Sequence, residues 1–416
     1  MVALPRPFTL SPFRGLRFDP AAVGDLGTVV SPPYDVLDAD TVRDLEAANS
    51  RNIVRLILSR RFERPYLAVR ERLHTWRREG YLRPDAEPAL YLYEYDVQGV
   101  VVRGLVGLVG LRQERERVVL PHEDVMPGPV DDRAVLMRTT RSNLEPILLV
   151  HEGSDRLRGL IGQAAETPPT ADFEALDGSG HRLWAVTDRD LLHEIAAELV
   201  STQALIADGH HRYAAYLRLQ QELREPGAPD GASPWDHGLA LLVDQRDHPL
   251  RVGPIHRSVT ALTLADLADV CAQRGDELVP VGDRESAVAA ITPDADPWLD
   301  GSGEKHGMVA FVVSDGRSWA VLRTERTNPV DAAVLHGVLL PAWGVDEQQV
   351  DYHHSLDQAL ATPARGPGIV LGVRPPTVAE VMATAADGLR MPRKTTSFGP
   401  KPRMGVVMRD VRDALP

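Results

Sequence analysis

Cysteine is almost absent: Cys271 is the only one in 416 residues. That excludes an internal disulfide and fits a reducing compartment. Its setting, Leu267-Ala268-Asp269-Val270-Cys271, suits a buried core thiol better than a nucleophile. Aromatic residues make up only 5% of the chain, and 46 basic residues against 59 acidic ones leave a net charge of −13. Both facts disfavour nucleic acid and anionic membranes as partners. No apolar run approaches the roughly 18 residues of a membrane span, and no signal sequence is found, so a cytoplasmic location is the expectation. Several common machines are missing as well. There is no G-x-x-x-x-G-K-[ST] loop, no G-x-G-x-x-G opening a helix, no H-E-x-x-H, no paired C-x-x-C and no G-x-S-x-G.

The hydrophobic fraction of 43% and charged fraction of 25% are those of a globular protein with ample core. The length favours two domains. Periodicity predicts helices over 39–49, 65–79, 131–141, 155–165, 189–200, 211–224, 263–273, 283–291, 329–340 and 377–388. Alternation predicts hairpins at 89–97/100–112 and 171–177/181–187, and strands at 144–150, 203–207, 237–244, 251–255, 307–313 and 318–324. Gly104, Gly107 and Gly110 lie inside a strand and read as bulges or close packing. Segment 292–306 reads as a surface excursion. Hairpins and helices without regular βαβ alternation give an α+β (mixed α/β) class, with irregular mixed sheets and flanking helices. The boundary is placed so that 1–115 forms an N-terminal α+β region and 116–416 the main domain.

The most informative residues are Asp208-Gly209-His210-His211-Arg212. They follow an apolar run and precede a helical pattern, so the order is strand, glycine turn, helix N-terminus. Such a terminus carries unpaired N–H groups and partial positive charge, which suits an anion. His210 and His211 are adjacent and point apart, so they serve different partners rather than one metal ion. The pair His353-His354 is read in the same way, as a surface pair.

Four further segments carry reactive groups. In Ser31-Pro32-Pro33-Tyr34-Asp35 the prolines present Tyr34 and Asp35 rigidly, or simply form a turn before the next helix. In Pro121-His122-Glu123-Asp124 a histidine beside two carboxylates could supply a general base or, with ligands from elsewhere, a metal ligand, against the alternative of a solvated acidic loop. His256-Arg257 ends a strand, where a lone histidine is more often structural. Met391-Pro392-Arg393-Lys394-Thr395-Thr396-Ser397-Phe398-Gly399-Pro400-Lys401 combines cations and hydroxyls that suit phosphate, or forms a basic surface segment.

With these stretches in order along nearly the whole chain, together with Pro12-Phe13-Arg14-Gly15, the sequence resembles the DUF1015 family. One departure lies at Ser397 and Gly399, where the family carries aromatics. The D-G-H-H-R segment alone resembles the motif of the ParB/sulfiredoxin superfamily, in particular its free-serine kinases, and implies a core of that kind around it. The resemblance implies phosphoryl chemistry on free serine or phosphoserine, as a kinase-like or phosphatase-like enzyme, with ATP or ADP and Mg²⁺ if a nucleotide takes part. On that reading Gly209 and the backbone after it cradle phosphate, while His210, His211 and Arg212 bind the transferring group. Asp208 orients a histidine or holds Mg²⁺. Glu123 is the base for a serine hydroxyl, with His122 as its substitute. Lys394 and Thr395 supply a second phosphate contact, and Tyr34, Asp35, His256 and Arg257 touch substrate. The alternative is a non-catalytic protein that senses a phosphorylated metabolite or nucleotide. A ParB-like role on DNA meets the opposing charge. A sulfiredoxin-like role lacks a cysteine at the motif.

Overall fold

A computed structural model describes residues 7–58, 65–227, 229, 231–260, 262–291, 307–361 and 368–413. The excursion expected at 292–306 lies outside them. The chain is a mixed α/β protein that divides into two compact units. The first comprises residues 1–121, 125–250 and 400–416, and the second comprises His122–Asp124 and Arg251–Gly399. These bounds differ from 1–115 and 116–416 for a physical reason. The second arm of the early hairpin pairs along its length with a strand more than 130 residues downstream, which welds the N-terminal region to the middle of the chain.

The first unit is built on one large mixed sheet. Its strands are β1 (Leu90–Val97), β2 (Val100–Gly110), β3 (Val119–Leu120), β4 (Ile147–His151), β5 (Ala171–Glu174), β6 (Gly180–Val186), β7 (Ala204–Asp208) and β8 (His237–Asp244). Their spatial order is β3-β7-β4-β8-β2-β1-β6-β5, and a ninth, short strand at Leu10–Ser11 pairs with β2 off this path. β7 runs parallel to β3 and antiparallel to β4, and β8 runs parallel to β4 and antiparallel to β2. The three glycines of β2 allow close approach. A Cβ at Gly104 would lie 2.5 Å from the Leu242 carbonyl oxygen, and one at Gly107 would lie 2.7 Å from Leu10 and Leu90 side chains.

The helices relevant to the site are α1 (Ala39–Ala48), α2 (Pro65–Arg78), α3 (Pro127–Thr140), α4 (Asp155–Ala165), α5 (Arg189–Leu199) and α6 (His210–Leu223). Asp38, Ser154 and Asp188 cap α1, α4 and α5 by accepting from backbone N–H groups in the first turn. α3 starts at Pro127, earlier than the periodicity suggested, because prolines fit a first helical turn whose amides have no intrahelical partner. Tyr213, Ala215, Tyr216 and Leu219 turn one face of α6 into a core shared with Leu105, Ile147, Leu149, Ile206 and Leu242. That packing fixes the start of α6 against the end of β7.

The second unit carries β9 (His256–Thr260), β10 (Glu277–Val281), β11 (Met308–Ser314), β12 (Trp319–Glu325), β13 (Val350–His353) and β14 (Gly368–Gly372), in the order β10-β12-β11-β14-β9-β13. The strand expected at 251–255 is two pieces. Arg251–Gly253 pairs with Ser397–Gly399, and β9 begins at His256. The helix expected over 329–340 contains a π turn at Leu335–Leu339, just before Pro341, which has no N–H to donate back into the helix. Cys271 is buried in the helix Leu264–Arg274, and burial pushes its thiol up to about 11. Among the described residues no helix is long and apolar enough to cross a membrane.

Candidate functional site

In the first unit, β7 ends on Asp208 and the chain turns through Gly209 into α6. Gly209 has φ 98°, and a Cβ there would meet Ile147 Cγ2 at 2.9 Å and the Arg212 guanidinium at 3.0 Å. Only glycine satisfies both the left-handed backbone and the space. The variant Gly209→Ala is therefore expected to lose about 1–3 kcal/mol of stability in urea denaturation; an unchanged midpoint would contradict the strained turn. The first bond that closes α6 on itself runs from the Tyr213 N–H to the Gly209 carbonyl, 2.9 Å. The amides of residues 210–212 thus occupy the positions where a helix offers donors to an anion.

Around this turn lies a charged cluster drawn from both ends of the chain. Asp208 Oδ1 is 2.6 Å from Lys401 Nζ, and its Oδ2 accepts from Arg212 Nη2. Lys401 also reaches Asp35 Oδ2 at 2.5 Å. Burial alone would raise the Asp208 carboxyl, but Lys401 and Arg212 hold it well below the usual carboxylate range. Burial likewise works against the Lys401 ammonium, and Asp208 and Asp35 more than offset it, so its pKa is raised. Arg212 is 3% exposed, and its Nη1 donates to the Pro146 carbonyl. Its nitrogens are committed inside the protein, so it acts on Asp208 rather than reaching outward. Tyr34 lies with its ring 4.5 Å from the Arg133 guanidinium, and burial raises its hydroxyl.

His211 Nε2 accepts from the Met126 N–H at 3.1 Å, which leaves the ring proton on Nδ1. His210 is half-buried and contributes to the field at Asp208. Glu145, which no local pattern singled out, is fully buried in this cluster. Its Oε2 is 3.2 Å from Arg133 Nη1, while Oε1 has no hydrogen-bond partner among the described residues. Burial raises its pKa against the pull of Arg212 and Arg133.

A metal ion does not fit this cluster as it stands. Both oxygens of Asp208 are ion-paired, and among the described residues no group of three or more His, Cys, Asp or Glu side chains is arranged to hold a cation. To ligate Mg²⁺, Asp208 would have to share or release Lys401 and Arg212, each of which holds one of its oxygens.

The second unit gathers the other predicted segments. Glu123 Oε1 accepts from the Thr395 N–H (3.1 Å), the Thr396 N–H (3.0 Å) and the Thr396 hydroxyl (2.9 Å). The Thr396 hydroxyl is thereby committed as a donor, and His122 Nε2, 2.7 Å away, donates to it. Burial raises the Glu123 carboxyl, although the Thr396 and Thr395 bonds and Lys394 pull it the other way. The Thr395 hydroxyl donates to the Pro392 carbonyl at 2.6 Å, so Thr395 builds the loop that grips Glu123. Lys394 sits at φ 58°, and its carbonyl accepts from Arg257 Nη2 at 3.1 Å.

Arg257 is fully buried, and burial lowers it to about 10. His256 Nδ1 accepts from the Val373 N–H at 3.2 Å, and burial lowers its imidazole to about 4. Arg257 thus supports the 394–396 segment from within, whereas His256 holds the Val373 backbone. His353 is not at the surface. It is buried, with Nε2 2.9 Å from the Ser258 hydroxyl, because the β9–β13 register sets it diagonally across from Ser258. His354 is exposed, as alternation along a strand requires.

Glu145 is the site residue that sequence reasoning missed, and no local signal marked it. Lys401 closed the basic segment but was given no role of its own; that it is one of only three lysines in the chain was the signal for one.

No curated protein matches the chain. Among solved structures, a free serine kinase variant in complex with AMP is similar at 14% identity and TM-score 0.38, covering 76% of this chain and 92% of that one. A free serine kinase variant in complex with ADP gives 14% identity and TM-score 0.37, covering 72% and 89%. SbnI with C-terminal truncation from Staphylococcus aureus gives 10% identity and TM-score 0.37, covering 74% and 89%. At the level of sequence families, residues 10–346 match the one described as "Protein of unknown function (DUF1015)", and the chain belongs to that family.

Proposed function

We propose that this protein transfers a phosphoryl group to or from the hydroxyl of free serine, with a nucleotide or water as the other party. The observation that carries the reading is the start of α6: three successive amide positions on a left-handed glycine, beside a half-buried lysine held between two carboxylates. Phosphoryl transfer requires positioning and charge neutralisation more than covalent chemistry. The amides after Gly209 and the His210 ring hold the phosphate. Lys401 leaves Asp35, its more exposed partner, to meet the incoming negative charge, while Arg212 keeps Asp208 in place. His211, held through Nε2 by the Met126 N–H, binds the transferring group. In the kinase direction the serine hydroxyl attacks the terminal phosphorus, its proton is released to water, and the nucleoside diphosphate leaves. No step is routed through a metal ion.

The non-catalytic alternative has one observation in its favour. Every cation of the cluster is already paired, so a phosphorylated metabolite could be sensed by exchange of partners alone. The variant His211→Ala separates the two readings. Phosphoserine formation is expected to fall at least about 100-fold, while the nucleotide-induced rise in melting temperature persists. Equal turnover by both proteins would remove His211 from the reaction, and nucleotide binding without turnover in the wild type would favour the sensor.

A further inference from the structure

Away from the Asp208–Arg212 turn, the first unit has a second concavity of about 430 Å³, formed by α2, the end of α3 and the segment after Met408–Asp410. Its wall carries Arg70, Arg78, Arg141 and Arg412 against one carboxylate, Glu71. In a chain of net charge −13 this is a marked local inversion of sign. Arg70 and Arg78 are exposed, lie two helical turns apart on one face of α2, and have no ion-pair partner among the described residues. Arg412 is held by Asp410 through Nε (2.9 Å) and Nη2 (2.7 Å).

A purely structural role explains part of this. Arg78 ends α2 and Arg141 caps α3, where cations offset the negative end of a helix. Arg70 lies in mid-helix and Arg412 lies in no helix, so that role does not reach them. Charge bookkeeping gives the same result. The wall sums to +3, Arg77 and Asp410 behind it cancel, and Asp413 brings the total to +2. Two helix C-termini contribute together about −1, and a positive remainder stays. The volume lies within the roughly 300–1,000 Å³ of small-molecule sites. The wall has no Phe, Tyr or Trp side chain to stack a base, and its one imidazole is that of His74.

We propose that this concavity binds a compact polyanion, a phosphate ester or diphosphate small enough to lie between Arg70, Arg78 and Arg141, at a site separate from the α6 turn. Guanidinium forks match phosphate oxygens two at a time, and Thr139 in the wall adds a hydroxyl donor. Carboxylates share the charge and part of the geometry, so the test compares both.

Pyrophosphate and citrate are titrated calorimetrically into the full-length protein, the double variant Arg70→Ala/Arg78→Ala, the double variant Arg70→Lys/Arg78→Lys, and His210→Ala. The expected result is saturable binding of pyrophosphate in which one equivalent weakens at least tenfold in the alanine pair, less in the lysine pair, and not in His210→Ala. Tighter binding of citrate than of pyrophosphate at that equivalent would overturn the phosphate assignment. Binding that is unsaturable, or in which no equivalent is weakened in the alanine pair and retained in His210→Ala, would overturn the site. His210→Ala alone reports on the α6 turn, so failure of one site is distinguishable from failure of the other.

Discussion

Replacing Arg212 with methionine is expected to cost about 3–5 kcal/mol of folding stability, the range for breaking a buried ion pair from one side. Arg212 is 3% exposed and binds both Asp208 and the Pro146 carbonyl. Methionine matches much of its length but supplies no charge. Asp208 would keep Lys401, but Glu145, which the Arg212 charge helps to hold ionised, would be left with Arg133 alone. Urea denaturation of the two proteins at neutral pH reads the difference. A loss below about 1 kcal/mol would mean that the guanidinium is not the element that organises the cluster. The double variant Arg212→Met/Glu145→Gln should recover part of the loss, because it removes the carboxylate left short of positive charge as well.

Mild acid is expected to have a comparably large effect. His151, His181, His237, His256 and His336 are each lowered to about 4, in every case first by burial. Once unfolded, each takes up a proton near pH 6.5. Between those values the unfolded chain binds more protons than the folded one, so stability falls as pH drops through the window, by up to about 1.4 kcal/mol per pH unit for each histidine. Asp208 acts in the same direction at still lower pH. Glu123 and Glu145 act in the opposite one, since their raised carboxyls favour the folded state when protonated. Five groups outweigh two. Urea midpoints at about pH 7, 5.5 and 4.5 should therefore decrease steadily; a midpoint constant or rising toward acid would show that these imidazoles are not buried neutral.

Much of the local structure could be read from the residues. The run into Asp208, the glycine at 209 and the helical pattern from His210 onward define a strand, a turn and a helix N-terminus, because each depends on near neighbours. Both mid-chain hairpins follow from alternation around Gln98-Gly99 and Gly178-Ser179-Gly180. What could not be read is long-range pairing. Nothing near Ala204 announces that β7 lies between β3 and β4, and nothing near Val100 announces β8. The division of the chain follows from those pairings, which is why a boundary drawn from composition near 115 differs from the compact units.

The charged residues divide in the same way. Asp208 and Arg212 are four apart on a turn and helix, so their contact is local. Lys401 reaches Asp35 across 366 positions, and Glu123 is held by threonines more than 270 positions away. No periodicity encodes such meetings. The reverse holds for His353: its sequence neighbourhood resembles a polar surface, and only the β9–β13 register buries it against Ser258.

The most direct test of the central claim is turnover by the unmodified protein. Wild-type chain is incubated with serine and ATP, and separately with phosphoserine and either ADP or water, across several divalent metals, with free serine and phosphoserine quantified by mass spectrometry. The account predicts phosphoryl transfer in at least one direction, abolished by His211→Ala in a protein that still folds. No transfer and no phosphoserine hydrolysis under any of these conditions would contradict it.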